Sequence, residues 1–117
     1  MRYRTMPKNG DELSVLGFGC MRLPMMEGGK IHVDKAVEQV RQAIDNGVNY
    51  LDTAWPYHGG ASETIVGTIL QDGYRDKVKI ATKLPTWLIS RAIRSSLPTS
   101  LQEPLSGTLK QVHYWVI

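Results

Sequence analysis

The stretch "VNYLDTAWPYHGGASETIVGTILQD" (48–72) holds a strand, a loop and a helix in succession. Residues 48–51 are a short apolar run that predicts a strand. Residues 52–61 predict a loop, and Ser62 can cap a helix predicted at 63–72. The buried stripe of that helix is predicted from four apolar residues at helical spacing, Ile65, Val66, Ile69 and Leu70. The loop places an acid, two aromatic residues and a histidine directly after the strand, a group that buries poorly and that we expect to face a site.

The chain before this stretch predicts a hairpin and a helix. "NGD" at 9–11 is a turn signal, so we expect residues 2–6 to pair with residues 13–17 in a β-hairpin. Residues 33–46 predict a helix that ends at Gly47. Its apolar residues recur at helical spacing: Val33, Val37, Val40 and Ile44.

A second strand is predicted at "KVKIATK" (77–83), where Val78, Ile80 and Thr82 alternate with lysines and alanine. Strands that alternate with amphipathic helices indicate an α/β fold built from βα units around a parallel sheet.

The composition changes near the end of the chain. Residues 88–117 contain five serines, two prolines and only four charged residues, and their apolar residues keep no clear period. We therefore predict a boundary near residue 89, with 1–89 as one unit and 90–117 as a divergent tail that is disordered or out of frame. "VHYWVI" (112–117) could form a short strand.

Composition narrows the class of protein. A chain of 117 residues fits one small domain or a fragment of a larger one. With 42% hydrophobic and 21% charged residues and no run of about 18 apolar residues, a globular protein without a membrane span is expected. The single cysteine, Cys20, is compatible with a reducing compartment, so we expect a cytoplasmic location. The net charge of +3 is scattered, whereas nucleic-acid binding usually requires a clustered basic patch.

Two charged side chains are predicted to meet at one edge of the sheet. Asp52 comes directly after the strand 48–51, and Lys83 ends the strand 77–83. The carboxyl ends of neighbouring parallel strands lie at the same edge, which is where α/β enzymes place their active sites. Tyr57 lies on the loop above that edge, five residues beyond Asp52.

These three residue types suit the reduction of a carbonyl group. A carboxylate beside an ammonium keeps both charged, so Asp52 would hold Lys83 in place. A lysine cation beside a phenol favours loss of the phenolic proton, so Tyr57 could act as a general acid toward a developing alkoxide. Lys83 and Tyr57 together would stabilise negative charge on the substrate oxygen.

Each residue also has a plainer interpretation when it is considered alone. Asp52 could cap a turn, Tyr57 could be a half-buried loop aromatic, and Lys83 could be a solvated strand end; their combined placement favours a site. His58 has no partner at ligand spacing, so we predict no metal site. Trp55 and Trp87 flank the proposed site, and they could line an apolar substrate pocket or serve as packing anchors.

Three motifs in order, "LGFGCMRLP" (16–24), "GVNYLDTAWPYHGGASE" (47–63) and "KVKIATKLP" (77–85), resemble the signatures of the aldo-keto reductase family. The combination of "YRTMPKNGDELSVLGFGCMRLP" (3–24) with "TKLPTW" (82–87) is most similar to the bacterial branch that carries a C-terminal 4Fe-4S, ferredoxin-like extension. The resemblance covers about residues 2–89.

The resemblance implies an N-terminal β-hairpin followed by the first βα units of a (β/α)₈ TIM barrel, which this chain leaves incomplete. It also implies reduction of aldehydes and ketones with NADPH. The family's catalytic aspartate, tyrosine and lysine fall on Asp52, Tyr57 and Lys83, while His113 is off the position of the catalytic histidine and is not assigned. The expected cofactor contacts are Gly19, Cys20, Met21, Arg22 and Asp52.

We expect the chain to be a fragment of such an enzyme and to be inactive, or nearly so, by itself. The alternative is a non-catalytic truncated fragment with no function of its own, which could self-associate through unpaired sheet edges. A small basic binding module formed by residues 88–117 is a third hypothesis.

Overall fold

The computed structural model describes residues 1–83 and the backbone of residues 115–116. Its first element is an antiparallel hairpin of β1 (Tyr3–Thr5) and β2 (Glu12–Ser14), in which Tyr3 lies opposite Ser14. The strands are shorter than the predicted 2–6 and 13–17, but the hairpin and its turn are confirmed. Gly10 has φ 76° and its amide donates to the Met6 carbonyl, which closes the turn.

A parallel sheet lies at the centre of the described residues. It consists of β3 (Phe18–Gly19), β4 (Tyr50–Asp52) and β5 (Lys79–Lys83), in that order. Gly19 lies opposite Asp52, and Asp52 lies opposite Ala81, so the three strands end at one edge. The α/β prediction is therefore confirmed, although the predicted strands 48–51 and 77–83 begin two residues too early.

A short strand near the end of the chain joins this sheet. β6 (Trp115–Val116) pairs with β5 in the antiparallel direction, with Trp115 opposite Lys83. A short strand within 112–117 is thus found, but it runs in the direction opposite to the three parallel strands β3, β4 and β5. The predicted boundary near residue 89, like Trp87 and His113, lies outside the described residues.

Helix α1 (Val33–Asp45) matches its predicted range to within one residue. Its buried residues are Ala36, Val40 and Ile44, which follow one another at intervals of four. Val33, the first of the four apolar residues at helical spacing, is 39% exposed, and Val37 is partly buried against the core. Gly47 has φ 96° and its amide donates to the Ile44 carbonyl, which ends the helix as the sequence predicts.

Helix α2 (Ser62–Ile69) is shorter than predicted. The prediction that Ser62 caps it is wrong, since Ala61 occupies the capping position and no side-chain cap forms. Ser62 is instead fully buried, and its hydroxyl lies 2.9 Å from the hydroxyl of Thr53. Val66 and Ile69 are buried as expected, and Leu70 is buried just beyond the helix.

The hydrophobic core fills the space between the two helices and the sheet. Its completely enclosed side chains include Val40 from α1, Leu51 from β4 and Ile69 from α2. The two helices thereby pack on the side of the sheet that carries Leu51.

Asn49 connects the hairpin to the amino end of β4. Its side-chain oxygen accepts from the Ser14 amide at 2.7 Å, and its Nδ2 donates to the Glu12 carbonyl at 2.8 Å. The Ser14 hydroxyl accepts in return from the Asn49 amide at 3.1 Å. The hairpin therefore lies at the end of the sheet opposite to Asp52 and Lys83. Among the described residues, no helix is long and apolar enough to cross a membrane.

Candidate active site

The structure brings Asp52, Tyr57 and Lys83 together at the carboxyl edge of the sheet. The Lys83 ammonium nitrogen lies 2.6 Å from Oδ1 of Asp52 and 2.8 Å from the hydroxyl oxygen of Tyr57. It also lies 4.8 Å from the centre of the Tyr57 ring. Residues separated by up to 31 positions in the chain thus meet at one nitrogen.

Strand alternation explains why these side chains share one face. Along β4 and into the next residue, Asp52 points to the side of the sheet that carries Lys83, while Thr53 points to α2. Lys83 lies two residues beyond Ala81, which is opposite Asp52. The lysine therefore reaches the carboxylate from the end of the neighbouring strand.

The hydroxyl contact between Thr53 and Ser62 fixes the loop that carries Tyr57. Both residues are buried, with exposed fractions of 2% and 0%, so their mutual hydrogen bond satisfies two polar groups inside the protein. It joins the first residue after β4 to the first residue of α2. The loop between them, 54–61, consequently starts and ends at defined points.

Lys83 is partly shielded from water, with 18% of its side chain exposed, and the Asp52 side chain is 24% exposed. Burial lowers the pKa of the Lys83 ammonium, but hydrogen bonds with Asp52 and Tyr57 and the charges of both groups outweigh burial and raise it above 10.5. Lys83 is therefore a cation over the whole neutral range of pH.

The direction of the hydrogen bonds determines where the Tyr57 proton points. An ammonium has three donors and no acceptor, so the Tyr57 oxygen must accept from Lys83. The phenolic hydrogen is then directed elsewhere. The geometry leaves it able to donate to an oxygen placed above the edge of the sheet.

The expected cofactor contacts lie around the turn Cys20–Arg22, which follows β3 at the same edge. Gly19 is exposed, and a Cβ added there would meet no atom of the described residues within 4 Å, so its backbone is open toward that side. Met21 is 51% exposed and Arg22 is also exposed. Cys20 differs from them because its side chain is completely buried, so it could face a ligand only through its backbone.

Cys20 and Tyr50 lie close enough to the charged pair to sense it. Burial raises the pKa of the Cys20 thiol to about 11, and the Asp52 charge adds to the rise while Lys83 opposes it. Burial, followed by the Asp52 charge, also raises the pKa of Tyr50. Both groups are therefore uncharged at neutral pH.

A cleft of about 350 Å³ adjoins the phenol. It is lined by residues from the turn after β3, from the segment that follows it and from the loop after β4: Met21, Arg22, Leu23, Met25, Tyr57 and His58. No structural role was predicted for His58 from the sequence. The ring of His58 contacts backbone of the turn after β3. Residues 1–83 contain no cluster of three or more His, Cys, Asp or Glu side chains that could hold a metal ion.

Comparisons with known proteins agree with this geometry. The model of the "Aldo/keto reductase family" matches residues 15–110, a range that extends beyond residue 89. "Aldo-keto reductase YhdN" of Bacillus subtilis is 31% identical over 114 residues, which cover 96% of this chain and 34% of that protein. "Probable aldo-keto reductase 1" of Glycine max is 36% identical over 74 residues, which cover 63% of this chain and 21% of that protein.

A solved structure supports the same relationship. The holo form of aldo-keto reductase AKR11C1 from Bacillus halodurans matches with a TM-score of 0.61 and 29% identity, covering 83% of this chain and 35% of that one. The chain thus spans about a third of the length of these two Bacillus relatives. This agrees with the predicted incomplete (β/α)₈ barrel. With the family model covering most of its length, the chain belongs to the aldo/keto reductase family.

Proposed function

We propose that the described residues form one side of the active site of an NADPH-dependent oxidoreductase that reduces aldehydes and ketones. The observation that carries this proposal is the position of the Lys83 nitrogen, 2.6 Å from the Asp52 carboxylate and 2.8 Å from the Tyr57 hydroxyl. Family membership supports the class of reaction. The complete activity belongs to a protein about three times as long as this chain, as in the relatives.

In this proposal Tyr57 is the general acid. Its oxygen accepts a hydrogen bond from Lys83, so its own hydrogen is available to the oxygen of a substrate carbonyl. As negative charge develops on that oxygen, Tyr57 transfers its proton, and the nearby Lys83 cation stabilises the resulting phenolate. Asp52 keeps the ammonium in position and balances its charge.

NADPH, when bound, would supply the hydride that adds to the carbonyl carbon. The described residues fit part of such a cofactor, since the open backbone at Gly19 and the exposed Arg22 lie at the same edge as Asp52. Met21 would contribute an apolar contact and Cys20 only its backbone. The choice of NADPH over NADH, the iron–sulfur extension and the cytoplasmic location stay predictions from the sequence.

A chimera tests the proposed role of Tyr57. Residues 1–83 of this chain would replace the matching segment of the Bacillus subtilis relative, and NADPH oxidation with an aromatic aldehyde would be followed by absorbance. We expect the chimera to reduce the aldehyde and Tyr57→Phe to lower kcat by about 10²- to 10⁴-fold, the usual contribution of a general acid. Tyr74→Phe is the matched control, because the Tyr74 hydroxyl donates to Asp45 on α1, away from the site. An active chimera whose kcat survives Tyr57→Phe would refute the assignment.

A further inference from the structure

The ring of His58 joins the two segments that line the cleft beside Tyr57. Its Nε2 lies 3.1 Å from the carbonyl oxygen of Cys20 and 3.4 Å from the amide nitrogen of Leu23. Cys20 begins the turn Cys20–Arg22, and Leu23 directly follows it. A single side-chain nitrogen therefore contacts both ends of the turn that carries the proposed cofactor contacts.

We propose that His58 is a positioning residue of this site, whose Nε2–H donates to the Cys20 carbonyl and holds the turn Cys20–Arg22 against the loop that carries Tyr57. The hydrogen bond itself rests on the geometry of the His58 ring and the turn. Only its purpose, which is to set the cofactor side of the cleft relative to the phenol, rests on the proposed reductase function.

The two contacts require opposite states of the same nitrogen. A carbonyl oxygen needs a proton on Nε2, whereas an amide N–H needs a bare lone pair there, and one ring cannot satisfy both at once. The Cys20 contact is the shorter by 0.3 Å, from 3.1 Å against 3.4 Å, and the longer one is near the limit for a hydrogen bond. The geometry thus assigns a proton to Nε2 of His58.

The backbone at His58 supports a role beyond filling space. His58 has φ 54° and ψ 39°, in the left-handed region that residues other than glycine occupy uncommonly. Gly59, with φ 66°, continues this conformation. The left-handed step redirects the chain after Tyr57 and places the imidazole over the turn after β3.

His58 directly follows Tyr57, so the positions of the imidazole ring and of the phenol are linked through the backbone. A shift of the His58 ring would move the backbone that also carries the phenol. The turn Cys20–Arg22 has no side-chain cap of its own. The His58 hydrogen bond, which spans 38 positions of the chain, therefore connects this turn to the loop that carries Tyr57.

The buried thiol of Cys20 provides a direct reporter. It is the only cysteine in the sequence, it is completely buried, and it lies in the turn that His58 contacts. The rate at which a thiol reagent modifies Cys20 under native conditions measures how often the turn opens. The full 117-residue chain can be used as it is.

Two substitutions at His58 separate the hydrogen bond from the backbone. His58→Gly keeps the left-handed conformation accessible and removes the ring, and we expect about a tenfold faster labelling of Cys20 for the loss of one hydrogen bond. His58→Gln retains an N–H of similar reach, and we expect its labelling rate to return to within about threefold of wild type. His32→Gln is the control, since His32 instead accepts from the Lys35 amide at the start of α1.

A second measurement needs no substitution. Long-range ¹H–¹⁵N correlation spectra of the wild-type chain report which ring nitrogen of His58 carries the proton, and we expect Nε2. Far-UV circular dichroism and the Tm of each variant show whether the chain is still folded. If His58→Gly fails to fold, the tautomer and the His58→Gln labelling rate decide whether the proposed hydrogen bond to the Cys20 carbonyl forms.

The proposal is overturned if His58 carries its proton on Nδ1 alone. It is also overturned if a folded His58→Gly variant labels at the wild-type rate, or if His58→Gln labels as fast as His58→Gly. A merely space-filling ring would give no rescue by glutamine. Neither NADPH nor a carbonyl compound is present, so failure of the proposed reductase function would leave these outcomes unchanged, and their failure would leave that function standing.

Discussion

At the scale of single residues, the site depends on a lysine held between a carboxylate and a phenol. The Lys83 ammonium donates to Asp52 at 2.6 Å and to Tyr57 at 2.8 Å, and both contacts favour its charged form. Asp52 therefore does more than position the lysine. Its charge and its hydrogen bond also offset burial, which lowers the pKa of Lys83.

Replacing the carboxylate should reverse this balance. We expect Asp52→Asn to lower the pKa of Lys83, because the charge and the strong acceptor are lost while burial persists. Carbon-detected NMR of the lysine side chain between pH 8 and 12 would measure it. Asp45→Asn is the matched control, since Asp45 pairs with Lys77 at 3.4 Å on the exposed surface. An unchanged Lys83 titration in Asp52→Asn would contradict the expectation.

The pairing of Lys83 with Asp52 makes the free energy of unfolding depend on pH in the alkaline range. The pKa of Lys83 in the folded chain is raised above 10.5, its ordinary value. Its stabilising contribution is therefore complete below about pH 10.5 and is lost as the pH rises through the folded pKa. In denaturant unfolding, the difference between wild type and Asp52→Asn should consequently be larger at pH 9 than at pH 11.5.

The meeting of Asp52, Tyr57 and Lys83 could be predicted from the sequence because parallel strands bring their carboxyl ends to one edge. The His58 contact could not, since no local pattern indicates which backbone carbonyl a loop histidine will reach 38 positions away. The glycines at 59 and 60 were the available signal. They indicate left-handed backbone, and hence a loop that turns toward another segment.

At the scale of elements, an asparagine side chain joins the hairpin to the sheet. The Asn49 side chain accepts from the Ser14 amide and donates to the Glu12 carbonyl, as a paired strand would do. This contact places β2 beside the amino end of β4. The hairpin was predictable from "NGD", but its attachment was not, because asparagine next to a strand has many local uses.

Asn49→Ala should therefore destabilise the protein by about 1–3 kcal/mol, the cost of leaving the Ser14 amide and the Glu12 carbonyl without these partners. Urea unfolding would measure the free energy, and hydrogen exchange of the Ser14 amide would locate the effect. Asn46→Ala is the control, because the Asn46 side chain donates to the Gln42 carbonyl within its own helix end. Equal losses from both substitutions would argue against the docking role of Asn49.

Glycine has different consequences in a tight junction and in an exposed helix. A Cβ at Gly17 would lie 2.9 Å from Cδ1 of Tyr50, whereas one at Gly67 in α2 would meet no atom within 4 Å. We expect Gly17→Ala to cost about 1–3 kcal/mol through this overlap. Gly67→Ala should instead stabilise by about 0.5–1 kcal/mol, since alanine favours helix. Thermal unfolding would measure the Tm of both variants. A change of Tm with the same sign in the two variants would contradict the reasoning.

At the scale of the whole molecule, the incomplete barrel determines how the chain should behave. The chain spans about a third of the two Bacillus relatives, and β3 is an edge strand in the described part of the sheet. Two large apolar residues just before it, Val15 and Leu16, are 58% and 62% exposed. The succession of strands and helices was predictable from periodicity. The antiparallel β6 was not, because a two-residue strand carries no directional pattern.

An edge strand beside exposed apolar residues favours pairing with a second chain. We expect the purified chain to self-associate with rising concentration in sedimentation velocity, and to oxidise no NADPH with an aldehyde above background. Leu16→Lys should shift the distribution toward monomer, because a charge near the edge opposes strand pairing. Val33→Lys, which adds the same charge at a 39% exposed position on α1, should leave it unchanged. A wild-type chain that stays monomeric at all concentrations would show that this edge is protected and that the sheet needs no partner.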